Sequence, residues 1–575
     1  MKGHSKLYQL IPVLDWIRTY SPADFKGDLN AGITVGIMLI PQGMAYAVLA
    51  GLPPVYGLYA SITPLIFYAV FGTSRHLAVG PAAILSLLIL TGIGQFADIG
   101  SSRFIQLAIL TSFGVGLFQF LMGIFRMGFI VNFLSQPVLS GFISAAALII
   151  VASQIRNLLG IDLPQTNRVL EIAAGIPGKI GGTDFFTALI GTGSITLIIV
   201  MQKWKRTFPA ALVVVVAGTL ITALFRLDRH GVSIVGDIPH GLPTFDISGF
   251  NPSDLQLIFP LIVVIALVSY IESIAIAKAI AKKHGYQIDS NQELIALGFA
   301  KIGSSLFQAF PTTGGFSRSA VNEQAGGRTG MSSVFSALII ILTVLFLTPL
   351  LHYLPNAVLA AIIIVAVAGL FDTGEIANLW RTDKKDLAML LTTFLVTLGV
   401  GIEEGIVVGV VLSLGVVIYS STRPHSAELG RLGNTRNFRN VKRYSEASVD
   451  EDILIFRFDS PLYFASAENF RETLETMILQ KGPGLKLVIL DASSINHIDS
   501  TGIHTMKELI RDLRLRQIAL FITSAIGPVR DKLKTTGIIK SVGRQNFFFD
   551  IEDAVSYYQK EGVEDSDYSP LQTNI

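Results

Sequence analysis

The chain carries apolar runs that follow one another from about Leu29 to Ser421, each close to the length of a membrane span. A transmembrane helix needs about 20 consecutive, mainly apolar residues. Because lipid offers no partners for backbone polar groups, each run is expected to be helical. Hydrophobic residues make up 51% of the 575 residues and charged residues 15%, a balance that a water-soluble core could not bury. We therefore predict an α-helical integral membrane protein.

The apolar runs divide into about fourteen segments, two of which are too short to cross a bilayer alone. Their predicted centres are Ile37, Phe67, Ser86, Val115, Ala145, Ile195, Val215, Ile265, Phe299, Ala320, Ile340, Ile363, Phe394 and Val411. With a cytoplasmic N-terminus, the connections that carry Arg75, Lys282 with Lys283, and Arg423 fall on the cytoplasmic side, as the positive-inside rule expects. An even number of spans puts the C-terminal region there too. We see no cleaved signal and expect a multi-pass protein of the cell membrane.

The composition changes sharply near Thr422, after which charged residues, short β-type runs and amphipathic helices alternate. We predict a cytoplasmic N-terminal segment (residues 1–28), a transmembrane domain (29–421), a linker (422–440), an α/β domain (441–562) and a C-terminal tail (563–575). The chain has no cysteine, so it can form neither a disulfide nor a thiolate metal site. Its sequence also has no phosphate-binding loop, zinc-hydrolase motif or hydrolase elbow. We expect a protein that is not an enzyme, has no cofactor or metal, and does not bind nucleic acid.

Two short segments interrupt the apolar pattern at matching places. One is SRHLAVGPAAILSLL, Ser74 to Leu88, and the other is FPTTGGFSRSAVNEQ, Phe310 to Gln324. Each has glycine or proline before a brief helical stretch, and each is third in a series of about seven segments, which indicates an inverted repeat. Irregular backbone survives at membrane depth only where it lines an enclosed cavity, and helix N-termini there favour an anion. We predict that the two segments meet in an anion site near the midplane.

Four stretches of the chain resemble the sulfate-permease anion-transporter family. They are PQGMAYAVLAGLPPVYGLYAS (Pro41 to Ser61), GTSRHLAVGPAAILSLL (Gly72 to Leu88), NQELIALGFAKIGSSLFQAFPTTGGFSRSAVNEQAGGRTG (Asn291 to Gly330) and DSTGIHTMKELI (Asp499 to Ile510). The likeness runs from about Phe25 to Gln559 and is strongest to plant-type sulfate transporters. It implies a seven-plus-seven inverted repeat of the uracil-permease type, in which a core domain carries the anion and a gate domain forms the contact of a homodimer. It also implies a C-terminal STAS domain.

The resemblance assigns candidate substrate-binding residues. Those that match the family's tenth-segment anion site are Phe316, Ser317 and Arg318, and those that match polar residues of the first span are Gln42 and Tyr46. Ala82 stands where prestin has an aromatic residue in the third segment, and the smaller side chain leaves more room. In the soluble domain, Ser500 matches a serine that is phosphorylated in anti-sigma-factor antagonists, although it or Thr501 could simply cap the helix.

Glu272 is predicted to be the proton-coupling residue. It lies mid-span in IALVSYIESIAIAKAI, where an ionised carboxylate costs about 2.5–3.5 kcal/mol, and the family places a transport-related acid here. Arg318 and the two helix ends together supply about two positive charges, which matches a divalent oxyanion such as sulfate. If Glu272 takes up a proton when the anion binds, the loaded site is close to neutral. We therefore predict a secondary transporter that carries sulfate with protons.

Several alternatives remain open from the sequence. Sodium coupling ranks second, because Ile276 stands where sodium-coupled family members have a hydroxyl that could ligate the cation. Lys301 falls near mid-depth of the ninth span, where it either pairs with Glu272 or another acid, or reaches along the span toward water. Pairing with Glu272 would keep that carboxylate ionised. Arg318 could pair with Glu323, or extend its side chain to a membrane interface, instead of binding an anion. The sequence also allows sodium-coupled or exchange transport of bicarbonate, chloride or dicarboxylate, a channel-like anion protein, and a membrane-anchored signalling scaffold.

Overall fold

The computed structural model of the chain describes residues 11–133, 135–163, 169–204, 209–239, 241–246, 251–371, 373–433 and 435–561. The chain divides into two compact units, Met1–Ser413 and Leu414–Ile575. The predicted C-terminal tail (563–575) and the first ten residues of the predicted N-terminal segment lie outside the described residues.

The membrane part of the chain contains two successive sets of seven segments, which we number α1 to α14. The first seven are Pro22–Leu49 (α1), Pro54–Tyr59 with Thr63–Phe71 (α2), Ala83–Ile93 (α3), Ser102–Ile124 (α4), Gln136–Leu159 (α5), Phe185–Trp204 (α6) and Ala210–Phe225 (α7). The second seven are Phe259–Lys283 (α8), Ser290–Ser305 (α9), Phe316–Gln324 (α10), Met331–Leu342 continued by Thr343–Leu347 and Thr348–Leu351 (α11), Asn356–Ala368 (α12), Lys384–Gly399 (α13) and Ile402–Thr422 (α14). As far as the structure describes them, eight of the fourteen are long and apolar enough to cross a membrane by themselves. The predicted fourteen segments, with a short third and tenth, are confirmed.

Shorter elements connect these segments. They are helices at Val13–Trp16, Val169–Lys179, Pro252–Leu257 and Thr373–Thr382, and 3-10 turns at Ile17–Thr19, Met127–Phe133, Ile180–Gly182 and Leu227–His230. Two very short strands, β1 (Val79–Gly80) and β2 (Thr313–Gly314), lie directly before α3 and α10. The third and tenth segments are therefore each half strand-like and half helical.

The fourteen segments pack in two groups. In one group α4 packs on α9, α1 on α11, and α2 on both α9 and α11. In the other α5 packs on α12 and α13, and α6 packs on α12. Contacts also repeat between the halves, because α1 against α11 corresponds to α8 against α4. This is the pattern of an inverted repeat, with α1–α4 and α8–α11 as the core and α5–α7 and α12–α14 as the gate.

Two glycines let α4 and α9 approach closely. A Cβ atom on Gly116 would lie 2.7 Å from the backbone nitrogen of Ile302, and a Cβ atom on Gly298 would lie 2.7 Å from that of Phe120. Membrane helices have no hydrophobic force to hold them together, so close backbone contact through small residues is a main source of their packing energy. The α4–α9 contact therefore depends on both glycines.

We expect Gly298→Ala to destabilise the core by about 1–3 kcal/mol, the usual cost of overpacking a close contact. The matched control is Gly193→Ala in α6, where a Cβ atom would have no neighbour within 4 Å. Thermal unfolding of the detergent-solubilised protein measures the difference. Equal melting temperatures for the two variants would contradict the close α4–α9 contact.

The soluble unit is an α/β domain with a mixed sheet. Its strands are Ser426–Leu432 (β3), Phe438–Asn440 (β4), Ala447–Ser448 (β5), Ile453–Phe458 (β6), Leu487–Asp491 (β7), Ala519–Thr523 (β8) and Phe547–Phe548 (β9), in the order β4-β3-β6-β7-β8-β9 with β5 beside β3. Strands β6 to β9 run parallel, and β3 is antiparallel to β6. Its helices are Ala467–Lys481 (α15), Ser500–Leu515 (α16), Gly527–Thr535 (α17), Ile538–Val542 (α18) and Ile551–Glu561 (α19).

Both faces of this sheet are buried, since alternate side chains of a strand point to opposite faces. Leu454 and Phe456 of β6 pack in one core with residues of α15 and α16, whereas Ile453 and Ile455 pack in a second core with residues of α19. The near-continuous apolar runs of β6 and β7 follow from this double burial. The predicted α/β fold is confirmed.

The predicted linker, residues 422–440, needs correction. Residues 426–432 form β3, which pairs with β6 in the register Ser426 with Phe458, and residues 438–440 form β4 beside it. This stretch looked like a connection because its charged and glycine residues break the apolar alternation. As strands toward one edge of a sheet, β3 and β4 satisfy their backbone through pairing and need few apolar side chains.

Candidate functional site

The two interrupted segments meet, as the sequence predicts. Val79 of β1 pairs with Gly314 of β2, and Gly80 pairs with Thr313, in an antiparallel bridge. Helix α3 begins after Ala82 and helix α10 after Gly315. The bridge therefore brings the N-terminal ends of both short helices, with their unpaired N–H groups, to the same part of the core.

Arg318 lies beside this bridge and holds both interrupted segments. Its side chain is buried, with Nη1 donating to the carbonyl of Pro81 at 2.7 Å and Nη2 donating to that of Thr313 at 3.3 Å. Its Nε is buried and has no partner among the described residues. Gly315 makes room for the guanidinium, because a Cβ atom there would lie 2.5 Å from its Cζ. The positive charge is thus fixed where the two helix ends converge.

The alternative pairing of Arg318 with Glu323 is wrong. Glu323 instead accepts from Lys283 at 2.5 Å, and its other contact is with the imidazole of His284 at 2.8 Å. Both partners lie at the C-terminal end of α8. Arg318 and Glu323 are five residues apart on α10, so their side chains leave the helix in different directions.

Glu272 lies on α8 next to the bridge. Its Oε2 is buried and has no hydrogen-bond partner among the residues that the structure describes. Arg318 and Glu272 lie within electrostatic range of each other and of the hydroxyl of Tyr46. Since the carboxylate, the guanidinium and the phenol come from three different segments, the structure brings together residues that are far apart in the sequence.

Ser273, the residue after Glu272, fastens β2 to α8. Its Oγ accepts from the backbone N–H of Gly314 at 2.9 Å and donates to the carbonyl of Ser269 at 2.7 Å. The hydroxyl of Thr313 donates to the same carbonyl at 3.0 Å. A shift of the bridge would therefore move the backbone that carries Glu272.

A cavity of about 80 Å³ lies between the core and the gate. Gln42 of α1 and Ser317 of α10 both line it, together with residues at the start of α7. Tyr46, one turn further along α1, and Ala82, at the start of α3, are each 7% exposed. Phe316 is 66% exposed. Of the predicted substrate-binding residues, Gln42 and Ser317 thus share a cavity, and the binding role of all six stays a prediction.

Lys301 contacts an amide side chain, which was not among the alternatives that the sequence suggested. It is 0% exposed, which excludes a side chain that reaches water, and within the described part of the chain no ion pair joins it to Glu272. Its Nζ donates to Oε1 of Gln119 at 2.9 Å, and Nε2 of Gln119 donates to Ser269 at 2.9 Å and to the carbonyl of Ala266 at 2.7 Å. Gln119 was not predicted, although an amide in the apolar run FGVGLFQFLMG is the signal that could have found it.

Ser500 is exposed at the first position of α16, but it does not cap the helix. The cap is Asp499, whose Oδ1 accepts from the N–H of Gly502 at 2.8 Å and whose Oδ2 accepts from that of Phe464 at 3.0 Å. Partial burial opposes ionisation of Asp499, but these backbone hydrogen bonds hold its pKa below the usual range. The expectation that Ser500 or Thr501 caps α16 is wrong, and a regulatory role for Ser500 stays a prediction.

Comparison with known proteins places these features in context. The sequence profile of the sulfate permease family matches residues 25–393, and that of the STAS domain matches residues 444–554. The chain is 42% identical to sulfate transporter 4.1, chloroplastic, of Arabidopsis thaliana over 97% of this chain and 84% of the relative. It is 34% identical to high affinity sulfate transporter 2 of Stylosanthes hamata over 96% of this chain and 87% of the relative.

Solved structures give the same picture. The murine solute carrier 26 family member A9 anion transporter, in its inward-facing state, superposes with a TM-score of 0.90 at 27% identity, over 97% of this chain and 95% of that chain. The transmembrane domain of a cyanobacterial bicarbonate transporter superposes with a TM-score of 0.60 at 23% identity, over 69% of this chain and 99% of that chain. All four of these proteins are named as transporters rather than as enzymes.

Proposed function

Because the chain belongs to the sulfate permease family and contains a STAS domain, we propose that it carries sulfate across a membrane together with protons. The anion moves by alternating access, in which the core formed by α1–α4 and α8–α11 carries it past the gate. The two plant relatives, both named as sulfate transporters, support sulfate as the substrate.

The observation that carries the proposal is the bridge between β1 and β2. It brings the N-terminal ends of α3 and α10 together, and their partial charges sum to about one elementary charge. Arg318 adds a full positive charge beside the bridge. A divalent oxyanion balances these charges, and Ser317 presents a hydroxyl to the adjacent cavity. Sulfate has both the charge and the acceptor oxygens that such a site needs.

Glu272 is the group that we assign to proton coupling. Its buried Oε2 has no donor in the described part of the chain, and burial without a partner disfavours a charged group. An ionised Glu272 would also oppose the field of Arg318, so proton uptake favours anion binding and proton release favours anion release. Ile276, one turn further along α8, is 6% exposed and offers no oxygen to a sodium ion.

We place the N-terminus and the STAS domain in the cytoplasm, since Arg75, Lys282 and Lys283 then follow the positive-inside rule. In this orientation the cavity lined by Gln42 and Ser317 lies on the cytoplasmic side of the bridge. The cell membrane is the expected location, and a homodimer is expected from the family resemblance.

The test is uptake of radiolabelled sulfate by proteoliposomes that contain the purified protein. We expect an inward proton gradient to drive accumulation above the external concentration, with no effect of a sodium gradient. Bicarbonate, a dicarboxylate and chloride are measured in parallel, with protein-free liposomes as the control. Accumulation driven by sodium, or a faster flux of another anion than of sulfate, would contradict the proposal.

A further inference from the structure

A second, larger cavity of about 380 Å³ lies at the far ends of α1, α3 and α5. Val48 of α1 and Gln95, just after α3, line it from the core. The residues that line it from α5 of the gate are Ala152, Ser153, Gln154, Arg156 and Asn157. The cavity therefore lies between the same two groups of segments as the cavity at Gln42 and Ser317.

The two cavities lie on opposite sides of the bridge. Gln42 belongs to one and Val48 to the other, a separation of about 9 Å along α1. Met44, Ala45 and Ala47 between them are 0% exposed. On α3, Ala82 lies at the bridge and Gln95 lies at the larger cavity, beyond a helix about 16 Å long. Packed side chains thus separate the larger cavity from the candidate anion site.

The larger cavity contains a cation without an acidic partner. Arg156, in the last turn of α5, lines it and forms no ion pair with any residue that the structure describes. Other basic groups at this end of the protein differ, since Arg103 pairs with Asp254 at 2.6 Å and Lys179 lies 3.8 Å from a carboxylate oxygen of Asp162. The net charge of the cavity wall is therefore positive.

Neutral polar groups surround Arg156. Thr91 and Gln95 come from the core side of the cavity, and Ser153, Gln154 and Asn157 come from the gate side. A cation near a helix C-terminus is stabilised by the helix dipole, but that effect does not account for hydroxyl and amide groups on both walls. The hydroxyls of Thr91 and Ser153 donate to carbonyls of their own helices. The side-chain amides carry two N–H groups each, and amides around one arginine are donors that recognise an oxyanion.

We propose that this cavity is the outer vestibule of the transporter, in which Arg156 holds an oxyanion before the core opens to that side. The proposal rests on the proposed function and adds to it a second, weaker anion site and the residue that supplies its charge. A positive, partly enclosed cleft concentrates anions and speeds their arrival. Arg156 therefore acts on the capture of sulfate from outside, whereas Arg318 acts at the site between the broken helices.

The absence of cysteine from the chain allows a direct test. Gln95 lines the cavity and is exposed, so Gln95→Cys places a single reactive thiol there. In the purified protein it is reacted with a sulfonatoethyl methanethiosulfonate, which is anionic, and a trimethylammonioethyl methanethiosulfonate, which is cationic. Adding Arg156→Gln should lower the ratio of the anionic rate to the cationic rate about tenfold at low ionic strength. Arg156→Lys should keep most of the ratio, and the matched control Lys179→Gln should not change it.

Competition identifies the occupant. Sulfate should slow the anionic reagent when Arg156 is present and not in the Arg156→Gln variant. A ratio that Arg156→Gln leaves unchanged would overturn the proposal, as would protection by anionic lipid but not by sulfate. The modification rates are measured without any sulfate flux. A protein that fails to transport sulfate would refute the proposed function, and the modification rates would still decide whether the vestibule binds oxyanions.

Discussion

Replacing Glu272 by glutamine is expected to abolish the proton-driven accumulation of sulfate while the protein still folds. The amide imitates the protonated carboxyl, so the variant should bind sulfate and exchange it across the membrane without taking up a proton. With the membrane potential clamped at zero, a gradient of about one pH unit supports about tenfold accumulation for each coupled proton. In Glu272→Gln this accumulation should fall to none, measured as labelled sulfate in proteoliposomes, while sulfate–sulfate exchange persists.

Glu293 provides the matched control for Glu272, because it is a second buried carboxylate in the core with the opposite surroundings. Its Oε2 accepts from the hydroxyl of Tyr68 at 2.6 Å, and its Oε1 accepts from the hydroxyl of Thr73 at 2.6 Å and its N–H at 2.8 Å. Glutamine cannot accept all of these hydrogen bonds, because its amide nitrogen is a donor, so Glu293→Gln should reduce stability without removing coupling. Proton-driven accumulation that survives in Glu272→Gln would show that another group carries the proton.

The fold was predictable to the extent that it depends on local pattern. The lengths of the apolar runs predicted the membrane segments. Glycine and proline before Ala82 and Phe316 predicted the two broken helices. Both signals are local, because the bilayer imposes one length on every span and irregular backbone needs special residues. The strands within residues 422–440 were not predicted, because their signal is not local. A strand toward the edge of a sheet is stabilised by pairing with distant strands, which short-range composition does not show.

Residues of the candidate site could be proposed from the sequence one at a time, but the contacts that they make could not. Glu272 was predicted from the cost of burying a charge in a membrane, and Arg318 was predicted from the family resemblance. The structure brings the two near each other. The sequence did not indicate that Arg318 donates to two backbone carbonyls, or that Lys301 is bound by Gln119. Gln119 lies 182 positions from Lys301, and Pro81 lies 237 positions from Arg318. Only the packing of whole segments determines such pairs.

Replacing Arg318 by alanine is expected to have the other large effect, a loss of sulfate binding greater than the loss of chloride binding. The change removes the full charge at the bridge and leaves the carbonyls of Pro81 and Thr313 without their donor. Truncating one partner of a buried charged contact costs about 2–5 kcal/mol, and a divalent anion feels the lost charge about twice as strongly as a monovalent one. The two losses are measured on the purified protein as the change in thermal stabilisation by sulfate and by chloride.

Arg318→Lys distinguishes the two roles of this side chain. Lysine keeps the charge but, as a compact ammonium, cannot reproduce the fork that donates to both Pro81 and Thr313. If the charge selects the anion, the lysine variant should keep the preference for sulfate over chloride even where its stability falls. Equal losses of sulfate and chloride binding in Arg318→Ala would show instead that the guanidinium serves only to join the broken segments. The ratio of the two affinities, rather than either affinity alone, therefore decides whether the fixed charge at the bridge is matched to a divalent anion.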